Sequence, residues 1–350
     1  MKSYKHLYEQ VCDWDNLYLA YRKARKGKRG RPPAATFEFD LESNLVTLQQ
    51  ELREKTYRPG AYSSFYIHEP KRRLISAAPF RDRVVHHALC NVIEPIFERS
   101  FIFDSYANRI GKCTHAALDR SQEFARRYRY VLQCDVKQFF PSLDLAILRE
   151  TLARKIADSD LLWLVDGILA SGVGVLSEEY EMEWFPGDDL LAATRPRGLP
   201  IGNLTSQFWA NCYLNPFDHF VQRELRCHGY VRYVDDFLLF GDDKPALWGW
   251  RQAVVNRLAD LRLTIHPGAQ PRPVAEGIPF LGFVIYSTHR RLKRRKVVHF
   301  RRKLRTQMRS YRAGRLPLNK VSASVLGWIN HARYGDTWRL RRAVLREVVL

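Results

Sequence analysis

GYVRYVDDFLLFGDD, residues 229–243, reads as two apolar strands joined through Asp235-Asp236. YVLQCDVKQFF, residues 130–140, reads as a third apolar strand running into Asp135. A charged group inside such a stretch costs several kcal/mol unless something pairs with it. A strand end at Asp135 beside a hairpin tip at Asp235-Asp236 gathers three carboxylates, which repel one another. A hard divalent cation is their natural partner, and Mg²⁺ prefers oxygen ligands. Two such ions about 4 Å apart clamp the attacking and leaving oxygens of an in-line phosphoryl displacement. A lone Asp-Asp pair is usually a surface turn, and Asp242-Asp243 just downstream is read that way. The joint embedding of Asp135 and Asp235-Asp236 in β-type sequence sets them apart.

Outward from these strands the chain alternates helices and hairpins. Residues 1–21 have helical spacing, ended by a basic run and Pro32-Pro33; 38–56 reads as an amphipathic helix stopped at Tyr57-Arg58-Pro59-Gly60. SSFYIHEPKRRLISAAP (63–79) alternates like a β-hairpin. DRVVHHALCNVIEPIFERSF (82–101) is helical, with Asp82 as N-cap and Pro95 as a kink or break. Helices follow at 114–127, Leu143–Ile156, 203–225 and about 245–261, and a strand pair at 278–286. Residues 175–198, acidic and turn-rich, suit an inserted hairpin. This order is α+β with antiparallel hairpins and excludes a doubly wound sheet.

The chain has 350 residues, with 57 Lys+Arg against 37 Asp+Glu for a net +20. Its 46% hydrophobic and 27% charged residues are those of a globular protein. No run of 18 uncharged apolar residues is present, and the first 15 residues lack the apolar core of a secretory signal, so a cytoplasmic protein with no membrane partner is expected. Six cysteines without a CxxC pair read as buried reduced thiols. His86-His87, on an amphipathic helix without matched ligands, reads as packing. The charge is uneven: Arg22–Arg31 holds seven basic and no acidic residues, and Arg290–Leu350 carries net +17. A near-neutral centre between basic arms suggests a polyanion partner.

At the carboxylates the sequence resembles a known family. Tyr233-Val234-Asp235-Asp236 is similar to the YxDD box of reverse transcriptases, and Asp135 with Phe139-Phe140 to their first-aspartate motif. KRRLISAAPFRDRVVHHAL (71–89) resembles the fingers motifs, RGLPIGNLTSQFWAN (197–211) the motif beneath the nascent base pair, and PFLGF (279–283) the primer-grip turn. Five motifs in family order make the resemblance specific. It implies a right-hand polymerase: an N-terminal helix and basic run over 1–31, fingers with palm segments over 32–130, a palm over 131–288 and a basic helical thumb over 289–350. It implies catalysis by Asp135, Asp235 and Asp236, with Val136 completing the metal site for two Mg²⁺ ions. Lys71, Arg73 and Arg83 would meet the incoming deoxynucleoside triphosphate with Ile201 and Gln207. Phe140 would be the ring that clashes with a ribose 2′-hydroxyl, leaving Phe139 to the core. Arg290, Arg291, Arg294, Arg301, Arg302 and Arg305 would grip template RNA and the RNA–cDNA duplex.

Ile201-Gly202-Asn203-Leu204-Thr205-Ser206-Gln207 narrows the resemblance. Most reverse transcriptases carry QGxxxSP there; those of diversity-generating retroelements carry a hydrophobic residue and then GxxxSQ, as here. That subgroup copies template RNA with errors at adenines and works with a small basic pentameric accessory protein. The alternatives are a retron, group II-like or phage-defence reverse transcriptase, or, from another class, a catalytically silent RNA-binding protein. The sequence departs from the family after LRLTIHPGAQ (261–270), where Gly268-Ala269 replace a lysine that protonates pyrophosphate. His266, Arg272 or metal-bound water stay open for that step. With the chain ending at Leu350, no RNase H or endonuclease domain is expected.

Overall fold

The computed structural model describes residues 3–28, 30–68 and 72–346. In chain order the elements are α1 (Tyr8–Cys12), α2 (Trp14–Ala24), α3 (Pro32–Phe39), α4 (Leu41–Arg53), β1 (Ser63–Ile67), β2 (Arg73–Ala77), α5 (Phe80–Glu98), α6 (Thr114–Arg127), β3 (Tyr130–Asp135), α7 (Phe139–Ser142), α8 (Leu145–Ala153) and α9 (Ser159–Ser171). Then come α10 (Leu204–Arg223), β4 (Gly229–Tyr233), β5 (Asp236–Gly241), α11 (Lys244–Asp260), β6 (Pro271–Pro273), β7 (Ile278–Phe280), β8 (Phe283–Ile285), β9 (Arg290–Leu292), α12 (Arg294–Arg312), α13 (Leu318–Ala332) and α14 (Trp338–Arg346). The expected α+β class is present, with antiparallel pairing in all three sheets.

The chain divides into two compact units. Unit one takes residues 1–103, 135–226 and 252–267. Its core forms where α5 meets α2 and α10, since Leu17, Val84, Leu89 and Ile93 are buried completely. Phe97 meets Phe208 edge-on at 5.7 Å. β1 and β2 form its hairpin, in the register Ser63↔Ala77 through Ile67↔Arg73.

Unit two takes residues 104–134, 227–251 and 268–350. Its four-stranded sheet has the order β4-β5-β3-β6, and β7-β8-β9 form a second sheet. One face of α6 joins both sheets in a core that includes Phe124, Val231, Phe240 and Phe283. α12 buries Val297, Phe300, Leu304 and Met308, three or four residues apart, so its apolar stripe meets α13. Phe300 stacks on Trp328 there at 4.3 Å.

Several expectations need correction. Asp82 is not the α5 N-cap, which is Pro79; its buried carboxylate accepts from the Tyr57 hydroxyl and the Gly60 amide, both at 2.8 Å. Pro95 lies inside α5 without ending it. Pro32 opens α3 at a position where its missing N–H costs nothing. Residues 175–198 form no hairpin but two 3₁₀ turns, Ser177–Glu179 and Leu190–Thr194. Side chains hold this segment in place of a ladder: Arg262 pairs with buried Asp188 at 2.6 Å, and Arg195 with buried Asp144 at 2.6 Å. α9 was not foreseen, although Asp158 caps it with bonds to the Asp160 and Leu161 amides.

Candidate active site

β4 and β5 pair from Gly229↔Phe240 to Tyr233↔Asp236, so Val234-Asp235 is a two-residue loop and Asp236 opens β5. The flanking residues Tyr230, Val231 and Phe237–Leu239 are fully buried, whereas Tyr233 to Asp236 are half-buried. Burial is continuous along both strands and breaks off at the turn, which leaves the acidic tip at the surface. Val234 has φ +59°, a left-handed value unusual for a β-branched residue.

β3 neighbours β5 in the sheet and ends at Asp135. The Asp135 carbonyl accepts from the His266 amide at 3.0 Å, and the Thr264 carbonyl accepts from the Lys137 amide at 2.8 Å. These bonds flank the antiparallel Val136↔Ile265 bridge. By the alternation of such a ladder, the Val136 carbonyl points away from Ile265. The Asp135 side chain keeps 40% of its exposure, with His266 Nε2 at 3.8 Å. His266, one of three options for proton delivery, thus sits beside the first carboxylate. Arg272 lies on β6, where it pairs with Val131 of β3.

Beyond Asp135 the chain turns through Gln138, at φ +49°, into α7. Phe139 is 3% exposed and Phe140 half-buried, so the two rings divide into core and surface as expected. The division comes from a helical turn and not from strand alternation. The Phe140 carbonyl accepts from the Leu199 amide at 3.0 Å, which brings the 197–207 motif alongside.

That motif is clamped to the β1–β2 hairpin. The Ser76 amide donates to the Ile201 carbonyl at 2.8 Å. Buried Asn203 accepts from the Ala78 amide and donates to the Ser76 and Pro200 carbonyls, at 2.8–3.0 Å. Gly202, at φ +118°, has no room for a side chain, because a Cβ would meet Ile75 Cγ2 at 2.9 Å. Ile201 and Gln207 are half-buried, and Arg73 is exposed at the start of β2. Arg83 points its Nε at the Ala78 carbonyl, 2.8 Å away, and so supports the same turn. Lys71 lies outside the described residues. Sequence pattern alone does not single out Asn203; its type and its place before α10 are the signals that point to it.

Among the basic residues, Arg294, Arg302 and Arg305 are exposed on α12 and Arg301 is half-buried. Arg294, Arg295, Val298, His299 and Arg302 line an open cavity of about 470 Å³. Arg291 covers the Tyr286 ring at 5.5 Å. Arg290 is turned inward, 12% exposed, pairing with Asp119 at 2.5 Å and donating to Gln122 at 2.7 Å. His86 is buried, and burial, then His87 and Arg83, push its pKa down to about 3.

The three carboxylates supply the hard oxygen donors that a divalent ion takes: Asp135 ends β3, Asp235 lies in the β4–β5 loop and Asp236 opens β5. Among the described residues, no three ligating side chains already enclose an ion-sized site. No described helix is long and apolar enough to cross a membrane.

Residues 67–285 match the family model described as reverse transcriptase (RNA-dependent DNA polymerase). The group II intron-encoded protein LtrA of Lactococcus lactis subsp. cremoris is 24% identical over 62% of this chain and 35% of its own length. Protein YkfC of Escherichia coli is 25% identical over 61% of this chain and 51% of its own. Nuclear intron maturase 2, mitochondrial, of Arabidopsis thaliana is 24% identical over 44% of this chain and 23% of its own. The chain thus spans about half or less of the length of these relatives. Among solved structures, a C-terminally truncated apo telomerase from Candida tropicalis has a TM-score of 0.49 at 12% identity, over 71% of this chain and 60% of that one.

Proposed function

The chain belongs to the reverse transcriptase family, and from that premise we propose that it is an RNA-directed DNA polymerase whose carboxylates are Asp135, Asp235 and Asp236. The observation that carries this reading is where each carboxylate sits, Asp135 at the end of β3 and Asp235-Asp236 at the tip of the β4–β5 hairpin, half-exposed where the strands leading to them are buried. Two bound Mg²⁺ ions would supply the positive charge that holds a triphosphate and activates a primer 3′-hydroxyl. Asp135, Asp235 and Asp236 would hold those ions, with the Val136 carbonyl as a further oxygen donor. Phe140 would exclude ribonucleotides by its bulk. Arg73 and Lys71 would meet the triphosphate, and Arg83 would serve by holding the turn at Ala78. Template RNA and the RNA–cDNA duplex would lie along the basic face of α12.

The finer proposal is a diversity-generating retroelement enzyme, error-prone at template adenines and aided by a small basic pentameric protein. It is supported by Ile201 and by Ser206-Gln207. Ile201 contributes its carbonyl to Ser76 and places no hydrogen-bonding side chain where most of the family has glutamine. The group II intron proteins among the relatives favour a second reading, a group II-like enzyme. Sequencing the cDNA of wild type and Ile201→Gln separates the two. Errors concentrated opposite template adenine, reduced by the substitution, support the first reading. Accurate cDNA from both proteins supports the second. Errors at adenine that Ile201→Gln leaves unchanged remove Ile201 as their cause.

A further inference from the structure

We propose that Arg232 is a positioning residue whose buried guanidinium holds the strained turn presenting Asp235 and Asp236; this rests on reading those two as catalytic carboxylates. Arg232 lies on β4 and is 1% exposed, one of the largest fully buried side chains in the protein. Its Nη1 donates to the Val234 carbonyl at 3.0 Å, reaching two residues along its own strand to the hairpin tip. That carbonyl belongs to the peptide group joining Val234 to Asp235, so this bond fixes the plane from which the first tip carboxylate departs.

The turn needs holding. Within the two-residue loop, Val234 has positive φ and Asp235 does not, the pattern of a type II′ turn. Glycine normally takes the first position of that turn, and a β-branched side chain there is a backbone outlier. Such strain persists only where the surroundings over-determine it. Arg232 itself is pinned. Its amide donates to the Asp104 carbonyl at 2.9 Å, and its carbonyl accepts from the Tyr106 amide at 3.0 Å. The Asp104 carboxylate is gripped by Arg120 at 3.0 and 3.2 Å and accepts from the Tyr106 hydroxyl at 2.8 Å. A chain of contacts thus runs from α6 through 104–106 to Arg232 and on to Val234. A guanidinium is suited to this, since it stays charged and directs several N–H groups from one rigid plane.

The test compares wild type, Arg232→Lys, Val234→Gly and the double variant. For each, amide exchange of the 229–241 peptide is measured without substrate, together with kcat, KM for dNTP and the Mg²⁺ concentration giving half-maximal rate. Arg232→Lys should speed exchange at the tip about tenfold or more, lower kcat about 30-fold and raise the Mg²⁺ requirement several-fold, with KM for dNTP unchanged. On the Val234→Gly background, where the turn is relaxed, the same substitution should cost less than about one third as much, on a logarithmic scale. Unchanged tip exchange and Mg²⁺ requirement, or additive effects in the two backgrounds, would overturn the proposal. If Arg232→Lys does not fold, Arg232→Gln, which keeps a donor toward Val234, carries the same readouts. If neither folds, Arg232 serves the fold alone and the proposal fails. Asp235→Ala in the same series keeps the failures apart: retained synthesis there sinks the carboxylate reading, while the exchange data still report on Arg232.

Discussion

Phe140 and His86 show how a single side chain's surroundings fix what it does. Phe140 is half-buried beside Phe139, ring centroids 5.3 Å apart, so Phe139 fills the core and Phe140 is left at the surface. Replacing it with alanine should weaken discrimination against ribonucleotides by about 10–100-fold, read as the ratio of kcat/KM for dNTP and rNTP. Unchanged selectivity would make Phe140 a packing residue. His86 has its folded pKa depressed to about 3 by burial. Above its unfolded value of about 6.5 it is neutral in both states and neutral to stability. As pH falls from there toward 3, the unfolded chain gains a proton that the native state refuses, costing about 1.4 kcal/mol per pH unit. Urea unfolding at pH 7 and pH 5 should therefore show a drop that His86→Leu reduces by about 2 kcal/mol. At this scale the sequence was informative about residue type in context. Carboxylates in apolar runs marked Asp135, Asp235 and Asp236, whereas the work of Arg232 and Asn203 depends on partners far along the chain.

The elements divide along the same line. Where local pattern decides, sequence and structure agree: β4–β5 is written as two apolar runs around Asp235-Asp236, α6 in helical period and the β1–β2 hairpin in alternation. Where distant side chains decide, they part. Residues 175–198 contain Pro186-Gly187, a turn-forming pair, yet their backbone joins β structure in a single isolated bridge, Asp144↔Arg197, and side chains place much of the rest. The Glu181 amide donates to the Gln138 side chain, Lys137 pairs with Glu183, and Tyr66 donates to Glu179. Asp82 was read as a helix cap because of where it falls in sequence, but it binds the Tyr57 hydroxyl and the Gly60 amide instead. The 200–203 turn is the element whose loss should matter most. Asn203→Ala removes three buried hydrogen bonds and should cost about 2–4 kcal/mol in chemical denaturation. Because that turn is tied to β2, KM for dNTP should rise in the same variant. A loss of stability without any change in KM would separate the turn from nucleotide binding.

For the molecule as a whole, the charge pattern carries the functional expectation. A net +20, concentrated in the first basic run and in the last sixty residues, suits a phosphate backbone. α12 gives that charge a form: one face is buried in the core of its unit, and exposed arginines cover the rest. Affinity for template–primer should fall steeply with salt, and Arg302→Ala or Arg305→Ala should each reduce the logarithmic slope by about 1. Arg290→Ala should lower stability and leave the slope alone, since that guanidinium is spent on Asp119 and Gln122. The basic C-terminal segment was legible as a whole, but which arginine faces inward was not, because Asp119 is 171 residues away in sequence. The central claim is that the carboxylates on β3 and at the β4–β5 tip run nucleotidyl transfer. Its most direct test is dNTP incorporation on an RNA template with Mg²⁺, wild type beside Asp235→Ala, with template–primer affinity measured for both. We expect extension by the wild type, a loss of about 1,000-fold or more in the variant, and affinities within about twofold of each other. Extension by Asp235→Ala at the wild-type rate would contradict the account.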